Sequence, residues 1–115
     1  MNSQDGLDEI SPYANTDIVE LNGGKIKESI LSPKDFGIKA GSFDNIIGKD
    51  PEYNAGKMKE IFQGKDNDFS VAVCLNAAAG LLVSEKSPSF KEGYEKLREH
   101  ILSGKVINQI SKLTK

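Results

Sequence analysis

The apolar run from Val71 to Val83 constrains the fold of this chain more than any other stretch. Asp66-Asn67-Asp68 precedes it as a helix start, and alanines fill much of the surface that its larger side chains leave. A helix that is apolar nearly all round is normally buried between layers of secondary structure. We therefore predict a fold in which other elements cover this helix on most sides. The apolar residues that share one side of it are Val71, Cys74, Leu75, Ala78, Leu81 and Leu82.

Three residues could carry chemistry but have simpler structural interpretations. Asn76 interrupts the apolar helix, and we expect its amide to tie the helix to a neighbouring backbone segment, with a position facing a ligand site as the alternative. Cys74 has apolar neighbours and is predicted to be a core residue rather than a nucleophile. His100 has no second histidine or cysteine near it, so it is a poor candidate for a metal ligand or a general base.

Asn22-Gly23-Gly24 predicts a β-hairpin between two short β-forming runs. The first run is Thr16 to Leu21, and the second is Lys25 to Leu31. Asn-Gly is the strongest short hairpin signal, because both residues accept the positive φ values of a two-residue turn. A glycine pair can also mark a phosphate-binding loop, but no helix start follows this one.

Capping residues and glycines divide the rest of the chain into helices. The predicted starts are Ser32-Pro33, Ser42-Phe43, Asp50-Pro51 and Ser89-Phe90, and the predicted ends are Gly37, Gly48, Gly64 and Gly104. The first two helices are single turns, and the helix after Asp50 should bury a stripe formed by Ala55, Met58, Ile61 and Phe62. A short amphipathic helix follows Gly104. Taken alone, this order of elements indicates an α+β domain.

Composition excludes several classes of protein. With 115 residues the chain forms one domain at most, and its net charge of −2 gives no basic surplus for nucleic acid. The longest apolar run falls well short of the roughly 20 residues that cross a bilayer, and the amino terminus lacks a secretory signal pattern. A single cysteine excludes an intramolecular disulfide framework and fits a reducing compartment. We therefore expect a soluble, cytoplasmic protein without nucleic-acid or membrane partners.

Three carboxylates lie within five residues in the segment Asp5-Gly6-Leu7-Asp8-Glu9, which continues with Ile10 and Ser11. Adjacent carboxylates repel each other unless a cation lies between them or water screens them. Mg²⁺ takes oxygen ligands from one or two carboxylates and completes its shell with water and substrate phosphate. A solvated acidic turn after a strand is the alternative that the residue types alone leave open.

This acidic segment, extended to Pro12, resembles the carboxy-terminal third of the anthranilate phosphoribosyltransferase family. The resemblance continues in order and spacing over nearly the whole chain. Each motif is weak alone, but their combination is specific. The further matching segments are Leu31-Ser32-Pro33-Lys34-Asp35-Phe36-Gly37, Gly48-Lys49-Asp50-Pro51-Glu52-Tyr53-Asn54-Ala55 and Leu75-Asn76-Ala77-Ala78-Ala79.

The resemblance implies an α/β fold class. Residues 1–115 would form the carboxy-terminal part of a nucleoside phosphorylase/phosphoribosyltransferase-like α/β domain. The hairpin would finish the edge of a mostly parallel sheet, and the packed helices would follow it. The family's amino-terminal helical domain and its diphosphate-binding loop would be absent from this chain.

The resemblance also implies a reaction and a metal site. The family transfers a phosphoribosyl group from phosphoribosyl diphosphate to the amine of anthranilate and releases diphosphate, a step of tryptophan biosynthesis. In the family an adjacent Asp-Glu pair holds Mg²⁺, and the matching residues here are Asp8 and Glu9. No catalytic base and no substrate-binding residue carries over to this segment. The complete enzyme is expected to be a homodimer, formed through its amino-terminal helices.

Departures from the family pattern define what this chain should do alone. The family's glycine-rich loop, its Lys-His-Gly-Asn motif and its anthranilate-binding arginine precede the acidic segment, where this chain has only Met1 to Gln4. Asn2 stands where the family commonly has a histidine. We expect the isolated chain to be an incomplete, catalytically silent portion of the enzyme. The alternatives are a non-catalytic interaction module that keeps the family fold, and a relative of the pyrimidine nucleoside phosphorylases.

Overall fold

A computed structural model describes residues 1–39 and 41–113 of the chain. The strands are β1 (Asn2–Ser3), β2 (Thr16–Asn22) and β3 (Lys25–Leu31). Two 3₁₀ helices follow, Pro33–Phe36 and Phe43–Ile46, and then come α1 (Pro51–Phe62), α2 (Asp68–Val83), α3 (Phe90–Leu102) and α4 (Val106–Leu113). The chain divides into two compact units, the first spanning Met1–Ser42 and the second starting at Phe43.

The first unit is built on an antiparallel sheet in the order β1-β2-β3. The predicted hairpin is confirmed, with a register that runs from Thr16 opposite Leu31 to Asn22 opposite Lys25. The two turn residues are Gly23 and Gly24, with φ values of +56° and +76°. Asn22 therefore belongs to the strand, and the turn is Gly-Gly rather than the predicted Asn-Gly. Both glycines adopt positive φ without the steric cost that a Cβ would add.

The hairpin of the first unit buries its base and exposes most of its length. Thr16 is fully buried and Leu31 is 9% exposed. Alternate residues of paired strands lie on the same side of a sheet, and one side of this hairpin carries four exposed apolar residues. We call this side the apolar hairpin face; its members are Val19, Leu21, Ile26 and Ile30. Within the described residues the sheet is antiparallel throughout, so the mostly parallel sheet that we expected is not found among them.

In the second unit the predicted helix starts are confirmed by their capping bonds. Asp50 Oδ1 accepts a hydrogen bond of 2.8 Å from the Tyr53 amide at the start of α1. Asn67 caps α2 by accepting from the Ser70 amide at 3.0 Å. Ser89 caps α3 in the same way. These bonds satisfy amides that the first turn of a helix leaves without intrahelical partners.

The core of the second unit lies between α2 and α3. Cys74, Leu75 and Ala78 of α2 are fully buried, and Tyr94 and Ile101 of α3 are nearly so. Ile61 is the buried residue of α1, whereas Met58 is 39% exposed and Ala55 is exposed, so the predicted α1 stripe is wrong at those two positions. The neighbours of α1 in this unit are α2, α3 and α4, and of the predicted stripe their contacts fully bury only Ile61.

The prediction that other elements cover α2 on most sides agrees with the burial of its described residues, except along one narrow stripe. Ala77 and Gly80 are exposed, and Val83 is 84% exposed. The helix thus has a narrow exposed stripe on the side opposite the buried face that packs against α3. No helix among the described residues combines the length and apolar character needed to span a membrane.

Candidate metal site in the acidic turn

The acidic segment forms a tight turn between β1 and β2. The Ser3 amide donates to the Leu7 carbonyl at 2.9 Å, and the Gly6 amide donates to the Ser3 carbonyl at 3.0 Å. Gly6 has a φ of +94°, a conformation that residues with a Cβ rarely adopt. The Gln4 amide donates to the Asn15 carbonyl at 2.8 Å, which joins the turn to the residue before β2. Backbone bonds therefore hold both ends of the turn.

Asp5 points its carboxylate back into this turn. Oδ2 accepts a hydrogen bond of 2.6 Å from the Ser11 hydroxyl, and Oδ1 accepts one of 3.3 Å from the Leu7 amide. Partial burial acts to raise the pKa of Asp5, but the hydrogen bonds from Ser11, Ser3 and Leu7 outweigh it and leave the pKa below its usual value. Asp5 is thus ionised and engaged with the protein.

Ser11, the partner of Asp5, is itself fixed in place. It is fully buried, and its hydroxyl oxygen accepts from the amides of Tyr13 at 3.1 Å and Ala14 at 3.3 Å. Its own amide donates to the Thr16 hydroxyl at 3.4 Å. Because these acceptor bonds use the oxygen lone pairs, the hydroxyl proton is directed to Asp5.

Asp8 and Glu9 face solvent on the same turn. A side-chain hydrogen bond between the two carboxyl groups, together with the repulsion of their charges, raises the pKa of Glu9 above its usual value. The two carboxyl groups are therefore close enough to interact electrostatically. The next residue, Ile10, is fully buried and anchors the segment behind them.

This donor set fits a hard divalent cation such as Mg²⁺. Two neighbouring carboxylates supply negatively charged oxygens, and a cation bound between them would relieve their mutual repulsion. Within residues 1–39 and 41–113, no three acidic, imidazole or thiol side chains converge to form a complete metal site. An ion on Asp8 and Glu9 would therefore depend on water and on ligand oxygens, which is the usual coordination of Mg²⁺ at phosphate-binding sites.

The structure separates the three carboxylates that the sequence pattern grouped together. Asp8 and Glu9 are exposed, whereas Asp5 is bonded to Ser11. Sequence reasoning missed the structural role of Asp5, although an aspartate two residues before an amide in a glycine-containing turn is a known side-chain-to-backbone turn signal. The Ser11 contact has no comparable local signal.

Three further residues stand out in the sequence, Cys74, Asn76 and His100. Cys74 is fully buried, and burial raises its pKa to about 11, so the thiol stays protonated as expected of a core residue. Asn76 Nδ2 donates to the Ala72 carbonyl at 3.0 Å. We predicted that the Asn76 amide would bond to a neighbouring backbone segment. This bond is instead made to the backbone of α2 itself. His100 lies exposed in the last turn of α3.

Comparison with known proteins gives consistent results. Residues 1–107 match the family model described as glycosyl transferase family, a/b domain. The chain is 54% identical over 113 residues to the anthranilate phosphoribosyltransferase of Pelagibacter ubique, a match that covers 98% of this chain and 34% of that protein. It is 38% identical over 107 residues to the enzyme of the same name from Pseudoalteromonas translucida, covering 92% of this chain and 30% of that protein.

Solved structures agree with these matches. Anthranilate phosphoribosyltransferase from Thermus thermophilus superimposes with a TM-score of 0.83 at 30% identity over 93% of this chain. The Saccharomyces cerevisiae enzyme in complex with PRPP and Mg gives a TM-score of 0.82 at 27% identity over 96% of this chain. Each comparison covers 32% of the solved chain. The present chain therefore spans about a third of the length of the relatives that it matches.

Proposed function

This chain belongs to the α/β domain of the glycosyl transferase family, and we propose that it forms the carboxy-terminal portion of an anthranilate phosphoribosyltransferase. The support is the identity of 54% to a relative of that name, together with motifs that run through the whole chain. In this proposal residues 1–115 complete the α/β domain of a longer enzyme. A helical domain, a diphosphate-binding loop and the anthranilate site come from the rest of the enzyme, which acts in the cytoplasm as a homodimer.

The role that we assign to this chain is to hold Mg²⁺ on Asp8 and Glu9. A single observation carries the assignment: two adjacent carboxylates are exposed on a turn that backbone hydrogen bonds and buried Ile10 hold in place. A yeast relative has been solved with PRPP, which is phosphoribosyl diphosphate, and with Mg. When bound, Mg²⁺ would supply the positive charge that stabilises the diphosphate leaving group.

The residues of this chain contribute binding and orientation to that reaction. Asp8 and Glu9 would bind the cation through carboxylate oxygens, and buried Ile10 would hold their backbone in place. The bond from ribose to diphosphate breaks as the bond to the anthranilate amine forms, and the leaving diphosphate takes up the negative charge. We assign no residue of the acidic turn as the base that accepts the proton from the anthranilate amine.

A chimera tests this function directly. The present chain would replace the matching segment of the Pelagibacter ubique relative, to which it is 54% identical over 113 residues. We expect the chimera to release diphosphate in a reaction that requires both anthranilate and Mg²⁺. The 115-residue chain alone should release none, and release by that chain would contradict the proposal that it is an incomplete portion.

Variants of the chimera test the metal assignment. Asp8→Asn and Glu9→Gln should each lower kcat/KM by at least about tenfold, because each removes a charged ligand from the ion that stabilises the leaving group. The matched control is Glu20→Gln, which removes another exposed carboxylate, on β2. Unchanged kcat/KM in both ligand variants would remove Asp8 and Glu9 from the site.

A further inference from the structure

We propose that Asp5 is a positioning residue that holds the Asp8-Glu9 pair in its metal-binding arrangement. Its carboxylate accepts hydrogen bonds from both ends of the segment that carries the pair, Leu7 before it and Ser11 after it. This inference rests on the proposed function, since it concerns the same metal site. It assigns to the third acidic residue a role that is distinct from metal binding.

The geometry makes Asp5 a clamp across a very short segment. The Leu7 amide lies 3.3 Å from Oδ1, and the Ser11 hydroxyl lies 2.6 Å from Oδ2. Between those two contacts the chain holds only Asp8, Glu9 and buried Ile10. A single carboxylate thus limits the movement of the backbone that presents both proposed ligands.

The far side of the clamp is rigid. Ser11 is fully buried, and its oxygen accepts two backbone amides, so it cannot follow Asp5 if the turn opens. The near side is held by the bonds between Ser3 and Leu7 and between Gly6 and Ser3. Asp5 therefore connects two fixed points, and the exposed pair lies on the loop that spans them.

Electrostatics favours the same division of roles. Two carboxylates that bind one cation must be held close together against their mutual repulsion before the ion arrives. A hydrogen-bonded framework supplies that restraint, and preorganised ligands lose less conformational freedom on binding. Asp5 has its oxygens committed to the protein, so it acts through the backbone of its neighbours and not as a third ligand.

The test uses the 115-residue chain labelled with ¹⁵N and Mn²⁺ as a paramagnetic probe of the Mg²⁺ site at about pH 7. Line broadening of backbone amides reports where Mn²⁺ binds, and a titration gives its Kd. In the unaltered chain we expect broadening centred on Asp8 and Glu9. In Asp5→Asn, which cannot accept from both partners at once, the Kd should rise roughly five- to tenfold, as expected for the loss of a hydrogen bond to a charged group.

Two further variants separate positioning from charge. Ser11→Ala keeps the Asp5 carboxylate but removes its clamp, so it should also raise the Kd several-fold. Glu20→Gln, the charge-matched control on β2, should change the Kd by less than about twofold, since exposed charges that lie outside the site are screened. If Ser11→Ala leaves binding unchanged or tightens it while Asp5→Asn weakens it, Asp5 acts by charge or as a ligand, and the proposal fails.

The outcomes also distinguish this inference from the proposed function. Because two carboxylates alone hold an ion weakly, the titration extends to roughly millimolar Mn²⁺. Absence of broadening at Asp8 and Glu9 in the unaltered chain even at that concentration would overturn the metal site itself. Broadening there with the same Kd in Asp5→Asn and Ser11→Ala would overturn only the positioning role. A merely structural role for Asp5 would lower the thermal midpoint without changing the Kd of the folded chain. If Asp5→Asn loses its dispersed amide spectrum, the Kd of Ser11→Ala decides between the two outcomes.

Discussion

At the scale of single residues, the contact between Asp66 and Arg98 joins two parts of the second unit that lie 32 residues apart. Nη1 and Nη2 of Arg98 donate to Oδ1 and Oδ2 of Asp66, each at 2.7 Å. Nη1 also donates to the Ser70 hydroxyl at 3.1 Å. Ser70 is fully buried. The bidentate pair thus fixes α3 to the segment that precedes α2. Two parallel hydrogen bonds make it a stronger interaction than an ordinary surface ion pair.

Removing Arg98 should reveal a pH-dependent contribution to stability. Its hydrogen bonds to Asp66 lower the pKa of that carboxyl. A lowered pKa in the folded state means that the pair stabilises the fold above the usual aspartate pKa, and that this stability is lost as pH falls through the lowered value. Arg98→Met, which keeps the apolar stem, should cost about 1 to 2 kcal/mol at about pH 7, since solvent screens part of the interaction at the half-exposed Asp66. The cost should shrink below about pH 4.

Urea unfolding at about pH 7, 5 and 3, followed by helical circular dichroism, measures this difference. All four α-helices of the described chain belong to the second unit, so the signal reports the unit that contains the pair. Lys65→Met, which removes the solvent-exposed pair with Glu60, is the control and should cost less than Arg98→Met at neutral pH. A cost for Arg98→Met that is the same at all three pH values would contradict the assignment.

At the scale of elements, two glycines with equal space around them should respond oppositely to substitution. A Cβ added at Gly24 or at Gly56 meets no atom within 4 Å. Gly24 has a φ of +76° in the hairpin turn, whereas Gly56 lies inside α1. Gly24→Ala should destabilise the hairpin by about 1 to 2 kcal/mol, because a side chain is strained at positive φ. Gly56→Ala should stabilise α1 by about 0.5 to 1 kcal/mol through lower backbone entropy in the unfolded chain.

Amide hydrogen exchange of β2, β3 and α1 measures both effects in one experiment. Exchange should become faster across the hairpin in Gly24→Ala and slower in α1 in Gly56→Ala. Each variant serves as the control for the other, since both add the same methyl group in open space. Exchange across the hairpin that is unchanged or slower in Gly24→Ala would show that the turn does not require positive φ. Faster exchange of α1 in Gly56→Ala would contradict the entropy argument for the helix.

At the scale of the whole molecule, the apolar hairpin face is the largest group of exposed apolar residues on the described paired strands. Its members Leu21 and Ile26 lie directly opposite each other and are 72% and 70% exposed. β3 is paired on one side only within the described sheet. Exposed apolar patches and unpaired strand edges both favour association. We therefore expect the isolated chain to self-associate as its concentration rises.

Analytical ultracentrifugation of two double variants tests this expectation. Leu21→Thr with Ile26→Thr should shift the association to higher concentration, because threonine keeps a preference for strands but removes most of the apolar surface. Glu20→Thr with Lys27→Thr changes the cross-strand pair on the opposite side of the same hairpin and is the matched control. Equal association in both double variants and in the unaltered chain would contradict a role for the apolar hairpin face.

The boundaries of most elements followed from the sequence because their causes lie within a few residues of each other. Caps such as Asp50 and Asn67 act three residues ahead, and the hairpin depends on its two turn glycines. The family followed from the order of several such motifs. None of these features needs a distant part of the chain, so local chemistry is enough to predict them.

Burial and partner choice depended on tertiary structure. The pattern of α2 predicted an apolar helix but could not tell that α3 would cover one face and leave Val83 exposed. Asp5 and Arg98 find their partners only after the chain has folded, Ser11 across the acidic turn and Asp66 from 32 residues away. Such hydrogen bonds form between groups that folding brings together, and the local sequence does not indicate which groups these are. The acidic turn therefore has two ligand candidates and one restraint, although its sequence shows three similar carboxylates.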